Sequence, residues 1–244
     1  MKFEGVKDIL VSDSKFKIIK ESGQELLIYS PYSTKIIKIP LKLSIELCAL
    51  AGFVIGDGHI RKSKFSIEVG VTDFEIIKSI ATMIKKSFDW DATIRIQKSK
   101  GKQDIFRIQI DSKPIWLFFT KILEIPPGKK CFTVKVPDVI SHSDLEFKRW
   151  FLSGLFLADG GIKKHHFICF TSCSKTLIEG IEKILKEFSI STWRSEWISK
   201  ISSRRIFDLF VKKQDSKRFE DLFPLTKLKL QGSPSLVNGA SLRP

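Results

Sequence analysis

The chain contains a single asparagine, Asn238, no CxxC pair, and no apolar run approaching the roughly 18 residues that a bilayer span needs. The missing run leaves no membrane partner to expect. The four cysteines, Cys48, Cys131, Cys169 and Cys173, make a disulfide framework improbable on spacing alone. Scarcity of heat-labile amides fits a thermophilic source or AT-rich coding equally well. Met1 leads into Lys2, Glu4 and Asp8 with no secretory pattern, so an intracellular protein is expected. Negative charge is also short. There are 27 Asp and Glu against 42 Lys and Arg, a net +15 with a pI near 9.6. That excess favours a polyanionic partner, and its spread along the chain favours a folded basic surface over a basic tail. With 43% hydrophobic and 28% charged residues in 244, wholesale disorder is excluded and a sizeable core is available.

Periodicity divides the chain into a preface and two similar halves. Residues 1–43 read as short strands and turns, with strands at 24–29 and 35–39. The first half, 44–125, starts with an apolar helix at 45–55 that ends in Gly56-Asp57-Gly58. Alternating strands follow, then an amphipathic helix capped by Asp73 and buried along Ile76, Ile77, Ile80 and Ile84. Strands at 92–97 and 106–110 and a helix at 113–123 close the half. An extended linker is expected over 126–143. The second half, 144–231, repeats the order: a helix ending in Ala158-Asp159-Gly160, a strand at 166–172, a helix capped by Ser174, strands at 193–199 and 206–211, and a last helix at 215–223. Asp57 and Asp159 stand 102 residues apart, and Asp73 and Ser174 stand 101 apart. The pattern predicts a duplicated α+β unit. A Ser/Gly/Pro-rich tail over 232–244 is expected to be disordered.

The chemistry concentrates at the ends of the two matching helices. Gly52 and Gly56 on one, and Gly154 and Ala158 on the other, put small residues on one face, which lets two backbones approach closely. Parallel pairing would bring Asp57 and Asp159 out side by side. A carboxylate at a helix C-terminus meets the negative end of the dipole, and two together repel unless a cation lies between them. Hard oxygen ligands favour Mg2+, and metal beside a basic surface suggests phosphodiester hydrolysis. His165, His166, Cys169 and Cys173 match no common zinc spacing.

The peptides Leu50-Ala51-Gly52-Phe53-Val54-Ile55-Gly56-Asp57-Gly58 and Leu152-Ser153-Gly154-Leu155-Phe156-Leu157-Ala158-Asp159-Gly160 resemble the paired signature of the LAGLIDADG homing endonucleases in their single-chain form. The resemblance covers most of residues 44–223. It implies two pseudo-symmetric αββαββα halves, with the motif helices packed at the centre and antiparallel sheets forming a saddle on double-stranded DNA. It also implies a monomer that cuts both strands of a long asymmetric site, in the cytoplasm of an archaeon or in an organelle. Asp57 and Asp159, with the preceding Gly56 and Ala158, are the metal positions it implies, for Mg2+ with Mn2+ as a substitute. The sixth motif position, often Asp in the family, is Ile55 and Leu157 here. The family's lysine after the fourth strand matches Lys113; in the second half Gln214 stands at that place beside Lys213. Asp73 and Ser174 hold the place of a water-ordering polar residue, and both are also good N-caps. An RNA maturase acting on intron RNA, or another nucleic-acid-binding protein of the same fold without cleavage activity, is the alternative. An intein is disfavoured by Met1 and by the lack of a terminal His-Asn pair.

Strand parity nominates DNA contacts. Ile94, Ile96, Ile108 and Ile110 are expected to face the helices, which turns Arg95, Gln97, Arg107 and Gln109 toward the groove. Arg and Gln suit guanine and adenine edges. In the second half Arg194, Glu196 and Asp208 are given similar places. Lys98, Lys100, Lys102 and Arg204 read as phosphate contacts.

Overall fold

A computed structural model describes residues 1–12, 16–30, 35–98, 103–163, 167–226 and 228. Lys100, Lys102, His165, His166 and the 232–244 tail lie outside the described residues.

Hydrophobic alternation in the preface makes a three-stranded antiparallel sheet of β1 (Lys17–Glu21), β2 (Glu25–Tyr29) and β3 (Ile36–Pro40). It buries Leu26, Ile28, Ile37 and Ile39 against the first half. A six-residue helix, α1 (Val6–Val11), precedes it. No sequence signal marked α1, because Gly5 starts it in a left-handed turn, φ 66°, and only Val6 and Leu10 are buried.

The first half runs α2 (Ile45–Gly56), β4 (His59–Ile60), β5 (Ser66–Val71), α3 (Phe74–Phe88), β6 (Ile94–Gln97), β7 (Ile105–Asp111) and α4 (Lys113–Leu117). A π-helical turn, Phe118–Ile122, extends α4 and lets the adjacent Phe118 and Phe119 both face inward. Helix α3 follows its sequence closely. Asp73 accepts from the N–H groups of Glu75 and Ile76 at 2.8 and 3.1 Å, and the four-isoleucine stripe is buried.

The linker holds a short helix, α5 (Asp138–Ser141), and is sewn into the core through Val134 and Val136. The second half then runs α6 (Leu145–Asp159), β8 (Gly160–Lys163), β9 (Phe167–Ser172), α7 (Lys175–Glu187), β10 (Thr192–Ile198) and β11 (Arg205–Val211). A 3-10 turn, Lys213–Asp215, leads to α8 (Ser216–Leu222). The sheets are ordered β4-β5-β7-β6 and β8-β9-β11-β10, all antiparallel, so the halves share one topology. The fold is α+β with two pseudo-symmetric halves.

Helix α2 is apolar all round and buried from Leu47 to Ile55, as befits a central helix. Its partner is α6. Lys148 on α6 is buried and answered by Glu187 at 2.6 Å. Among the described residues no helix is long and apolar enough to cross a membrane.

Candidate active site and nucleic-acid interface

The two central helices touch through their glycines, and they do so reciprocally. A methyl group added at Gly52 would overlap the carbonyl oxygen of Phe151, and one added at Gly154 would overlap that of Ala49. Ala49 and Phe151 are themselves 102 residues apart, so the contact obeys a pseudo-twofold relation. At the C-terminal ends, a methyl on Gly56 would lie 2.5 Å from the Ala158 methyl and 3.2 Å from Asp159 Cγ. Small side chains are therefore what bring the helix ends together. Asp57 caps α2, its N–H donating to Phe53 O at 3.0 Å, and Asp159 is the last residue of α6. The residues just before the small pair, Ile55 and Leu157, are buried, whereas both aspartates are exposed. Two acids thus stand at adjoining helix ends, where both dipoles oppose them.

A cation that sequence patterning missed already sits there. Lys130, in the linker, donates from Nζ to Val54 O at 2.6 Å, to Gly56 O at 3.3 Å and to Gly58 O. Burial pulls its ammonium down to a pKa of about 8, and the charges of Asp159 and Asp57 oppose that fall. A lysine more than 70 residues along the chain from its partners leaves no local signal.

The donor set suits a hard cation. Among the described residues no group of three or more His, Cys, Asp or Glu side chains is gathered for a metal. What the helix ends offer is two carboxylates and, before them, the backbone carbonyls of Gly56 and Ala158. All are oxygen donors of the kind that Mg2+ takes, with positions left for water or phosphate.

Other nominated residues are placed elsewhere. Lys113 is not brought to Asp57. Arg61 N donates to Ser66 O and Ser112 N to Phe65 O, so Lys113 leaves the sheet where β4 ends, whereas Asp57 precedes β4's first residue. Its Nζ lies 4.8 Å from the centre of the Phe65 ring and 5.9 Å from that of Phe16. Lys213 and Gln214 follow β11 at the corresponding end of the second sheet, both exposed. Asp73 caps α3. Ser174 is fully buried: it caps α7 by accepting from Leu177 N and donates to Val134 O at 2.6 Å, which ties the linker to the second half. Of the zinc set's described members, Cys169 is buried within β9 and Cys173 follows it.

In the first sheet the parity reading holds for Arg95, Gln97, Arg107 and Gln109, which lie on the face away from α3 with Glu68 and His59. Ile108 and Ile110 are buried beneath. Ile96 lies on the helix side as expected, but at the sheet edge on β6 it is 59% exposed. Two side chains that the sequence did not single out organise this face. Glu68 takes Arg61 at 2.7 Å and also Arg107. Arg61's hydrogen bond is the main influence holding the Glu68 carboxyl below its usual range; Arg107 adds to it, and burial opposes. Gln109 donates to Asp111 at 2.8 Å. Lys98 is exposed after β6.

In the second sheet the expected faces require correction. Ser195, not Arg194 or Glu196, is opposite Asp208. Arg194 turns to the helix side and pairs with Glu179 and Glu182 of α7, while Glu196 pairs with Arg205 at 3.0 Å. A one-residue slip in placing β10 moves every side chain to the other face. Asp208 does lie on the outer face, but it is 4% exposed and accepts from Thr171 Oγ1 at 2.6 Å and Trp197 Nε1 at 2.9 Å. It is a buried acceptor, not a base-reading group. Arg204 is exposed near the β10–β11 turn, its guanidinium 5.6 Å from the centre of the Phe132 ring.

Known proteins share this fold. The chain aligns with the homing endonuclease I-DmoI in complex with DNA and Ca at a TM-score of 0.56 and 18% identity, over 78% of this chain and 98% of that one. For the homing endonuclease I-WcaI bound to its DNA recognition sequence the values are 0.53 and 17%, over 79% and 84%. For the N-terminal LAGLIDADG domain of DUF199/WhiA they are 0.51 and 17%, over 75% and 83%. At these identities the likeness is one of fold. Among curated proteins, the chain is 31% identical over 175 residues to the replication factor C small subunit of Methanocaldococcus jannaschii, covering 71% of this chain and 9% of that protein. It is 28% identical over 170 residues to the tRNA-splicing ligase RtcB of Methanopyrus kandleri, covering 62% and 17%. It is 24% identical over 192 residues to a glutamine–fructose-6-phosphate aminotransferase of M. jannaschii, covering 73% and 17%. The chain thus spans between 9% and 17% of the length of these relatives. The LAGLIDADG-like domain profile matches residues 44–123 and again residues 146–224. With that profile matched twice, on two halves joined through paired glycine-rich helices that each end in aspartate, the chain belongs to the LAGLIDADG-like domain family.

Proposed function

We propose that this protein is a site-specific endonuclease that binds a long asymmetric duplex DNA as a monomer and hydrolyses both strands with a divalent cation. The observation that carries the reading is the pair of exposed aspartates at adjoining helix ends, set between two antiparallel sheets in a chain of net charge +15. A bound Mg2+, or Mn2+ in its place, would supply Lewis acidity and an activated water for attack on phosphorus. Asp57 and Asp159, with the carbonyls of Gly56 and Ala158, would hold it. An I-DmoI structure contains DNA and Mn, and another contains DNA and Ca, which supports divalent metal at such a site. Lys130 offsets the mutual repulsion of the carboxylates and the dipole of α2, so the acids stay together before cation and substrate arrive. Arg95, Gln97, Arg107 and Gln109 would meet base edges, with Lys98 on phosphate.

The relatives lend a second kind of support. A similar stretch recurs inside proteins named for replication, RNA ligation and amino transfer, each time as a small share of the chain. It behaves as a module independent of its host, as an element that cuts to move would.

The test is selection of a bound duplex from a randomised library, followed by incubation with Mg2+. Cutting of both strands at one position, stopped by excess EDTA, is expected. A selected duplex that stays whole in Mg2+ and in Mn2+ would make this a binding protein of the same fold.

A further inference from the structure

The two sheets share a topology but not a surface. The outer face of β4-β5-β7-β6 is polar, carrying His59, Glu68, Arg95, Gln97, Arg107 and Gln109. The corresponding face of β8-β9-β11-β10 is aromatic. Trp193 on β10 stacks on Phe210 of β11, ring centres 4.0 Å apart and planes 11° from parallel. Phe167 of β9 stands edge-on to both, at 6.2 and 6.3 Å. Trp193 and Trp197 remain 41% and 45% exposed.

Asp208 is the buried acceptor of this face. Trp197 gives its single N–H to the buried Asp208, so its ring offers carbon to the outside. Asp208 takes a second hydrogen bond from Thr171. An alanine methyl at Gly161, on the same face, would meet nothing within 4 Å, so the surface is open there. The rim is basic: Lys200, Arg204, Lys212 and Lys213 are exposed at the ends of β10 and β11. A basic rim around an apolar centre is complementary to a duplex whose phosphates flank a groove floor that carries methyl groups.

We infer that the two halves read DNA by different chemistry, and that the aromatic sheet recognises a thymine-rich half-site through the 5-methyl groups in the major groove. This rests on the proposed function. In the major groove the thymine methyl is the one apolar feature of the base-pair edges, and aromatic side chains suit it. The polar sheet recognises its own half-site by hydrogen bonds. Among the described residues, Arg95, Gln97, Arg107 and Gln109 have no arginine or glutamine counterpart on the aromatic side, so the target is asymmetric in composition as well as in sequence.

Deoxyuridine tests this without altering the protein, because it removes only the methyl. In the selected duplex, thymidine is replaced by deoxyuridine through one half-site at a time, and binding is measured in Ca2+. One half-site should weaken roughly fourfold for each methyl that it buries, the factor expected from burial of one such group. The other half-site should change less than about twofold. The sensitive half-site should lose its sensitivity in Trp193→Ala and, independently, in Phe167→Leu, which locates the effect on this face as a double-mutant cycle. Equal sensitivity of both half-sites, insensitivity of both, or persistence of the effect in both variants would overturn the inference. So would a single strand of the same sequence competing as well as the duplex, since the face would then be stacking unpaired bases. If no duplex is selected at all, the proposed function itself fails, and that outcome is distinct from a selected duplex with no methyl dependence.

Discussion

Glu68 shows how much of the polar sheet is held by one carboxylate. Its side chain is 12% exposed and answers two arginines that approach it from either side of β5. Its folded pKa lies below the usual 4.5. The sign follows: the native state favours the ionised form, so Glu68 contributes stability above about pH 4.5, and that contribution is lost as pH falls through the depressed folded value. Glu68→Gln is expected to lower stability by about 1–2 kcal/mol at pH 7 and to flatten the acid limb of the stability profile. Urea denaturation of both proteins between pH 3 and 7 would check this, and parallel profiles would contradict it. At this scale the sequence was legible where strand edges were well marked. Alternation from Ile94 and from Ile108 placed Arg95, Gln97, Arg107 and Gln109 correctly. It misjudged β10, where Thr192-Trp193-Arg194-Ser195-Glu196-Trp197 contains no clean apolar–polar alternation: two tryptophans lie on the outer face and a charged pair faces the helices. An ion pair with α7 and a buried aspartate are tertiary facts that such a run does not announce.

The elements owe their arrangement to the absence of side chains at two points. Gly52 and Gly154 each face a backbone carbonyl of the opposite helix, with no room for a methyl group. Unlike a flexible side chain, a backbone carbonyl in the centre of a helix cannot give way, so the helices would have to separate. Gly52→Ala or Gly154→Ala is expected to destabilise the fold by about 3 kcal/mol or more, at the upper end of overpacking effects. Gly161→Ala meets open space and should change stability by less than about 1 kcal/mol. Thermal or urea unfolding of the three variants distinguishes them; equal stability of Gly52→Ala and Gly161→Ala would mean that α2 and α6 are not in backbone contact. The four-residue spacing of small residues made this pairing legible. Lys130 was not legible, because it reaches α2 only through the folded path of the linker, and a Pro-Pro-Gly-Lys-Lys run looks the same whether its lysines are solvated or buried. The short α1 and α5 fell below the length at which periodicity speaks.

For the whole molecule, duplication explains the architecture and divergence explains the asymmetry. One topology is used twice, and the shared helix pair holds two acids between two surfaces of unlike chemistry. The basic excess, the paired motifs and the matching element order were all visible in the sequence. The polar and aromatic division between the sheets was not, since it depends on which face each strand presents. The central claim is that Asp57 and Asp159 together hold the cation on which cutting depends. Its most direct test is a supercoiled plasmid bearing one selected target, followed in time with wild type, Asp57→Asn and Asp159→Asn in Mg2+. Wild type is expected to linearise the plasmid. Each variant should fail to linearise it, slowed by roughly 10²-fold or more as when one positioned electrostatic group is lost, while still retarding a target fragment with an affinity within a few-fold of wild type, because affinity comes mainly from phosphate contacts. Linearisation at the wild-type rate by either variant, or by wild type in excess EDTA, would contradict the account.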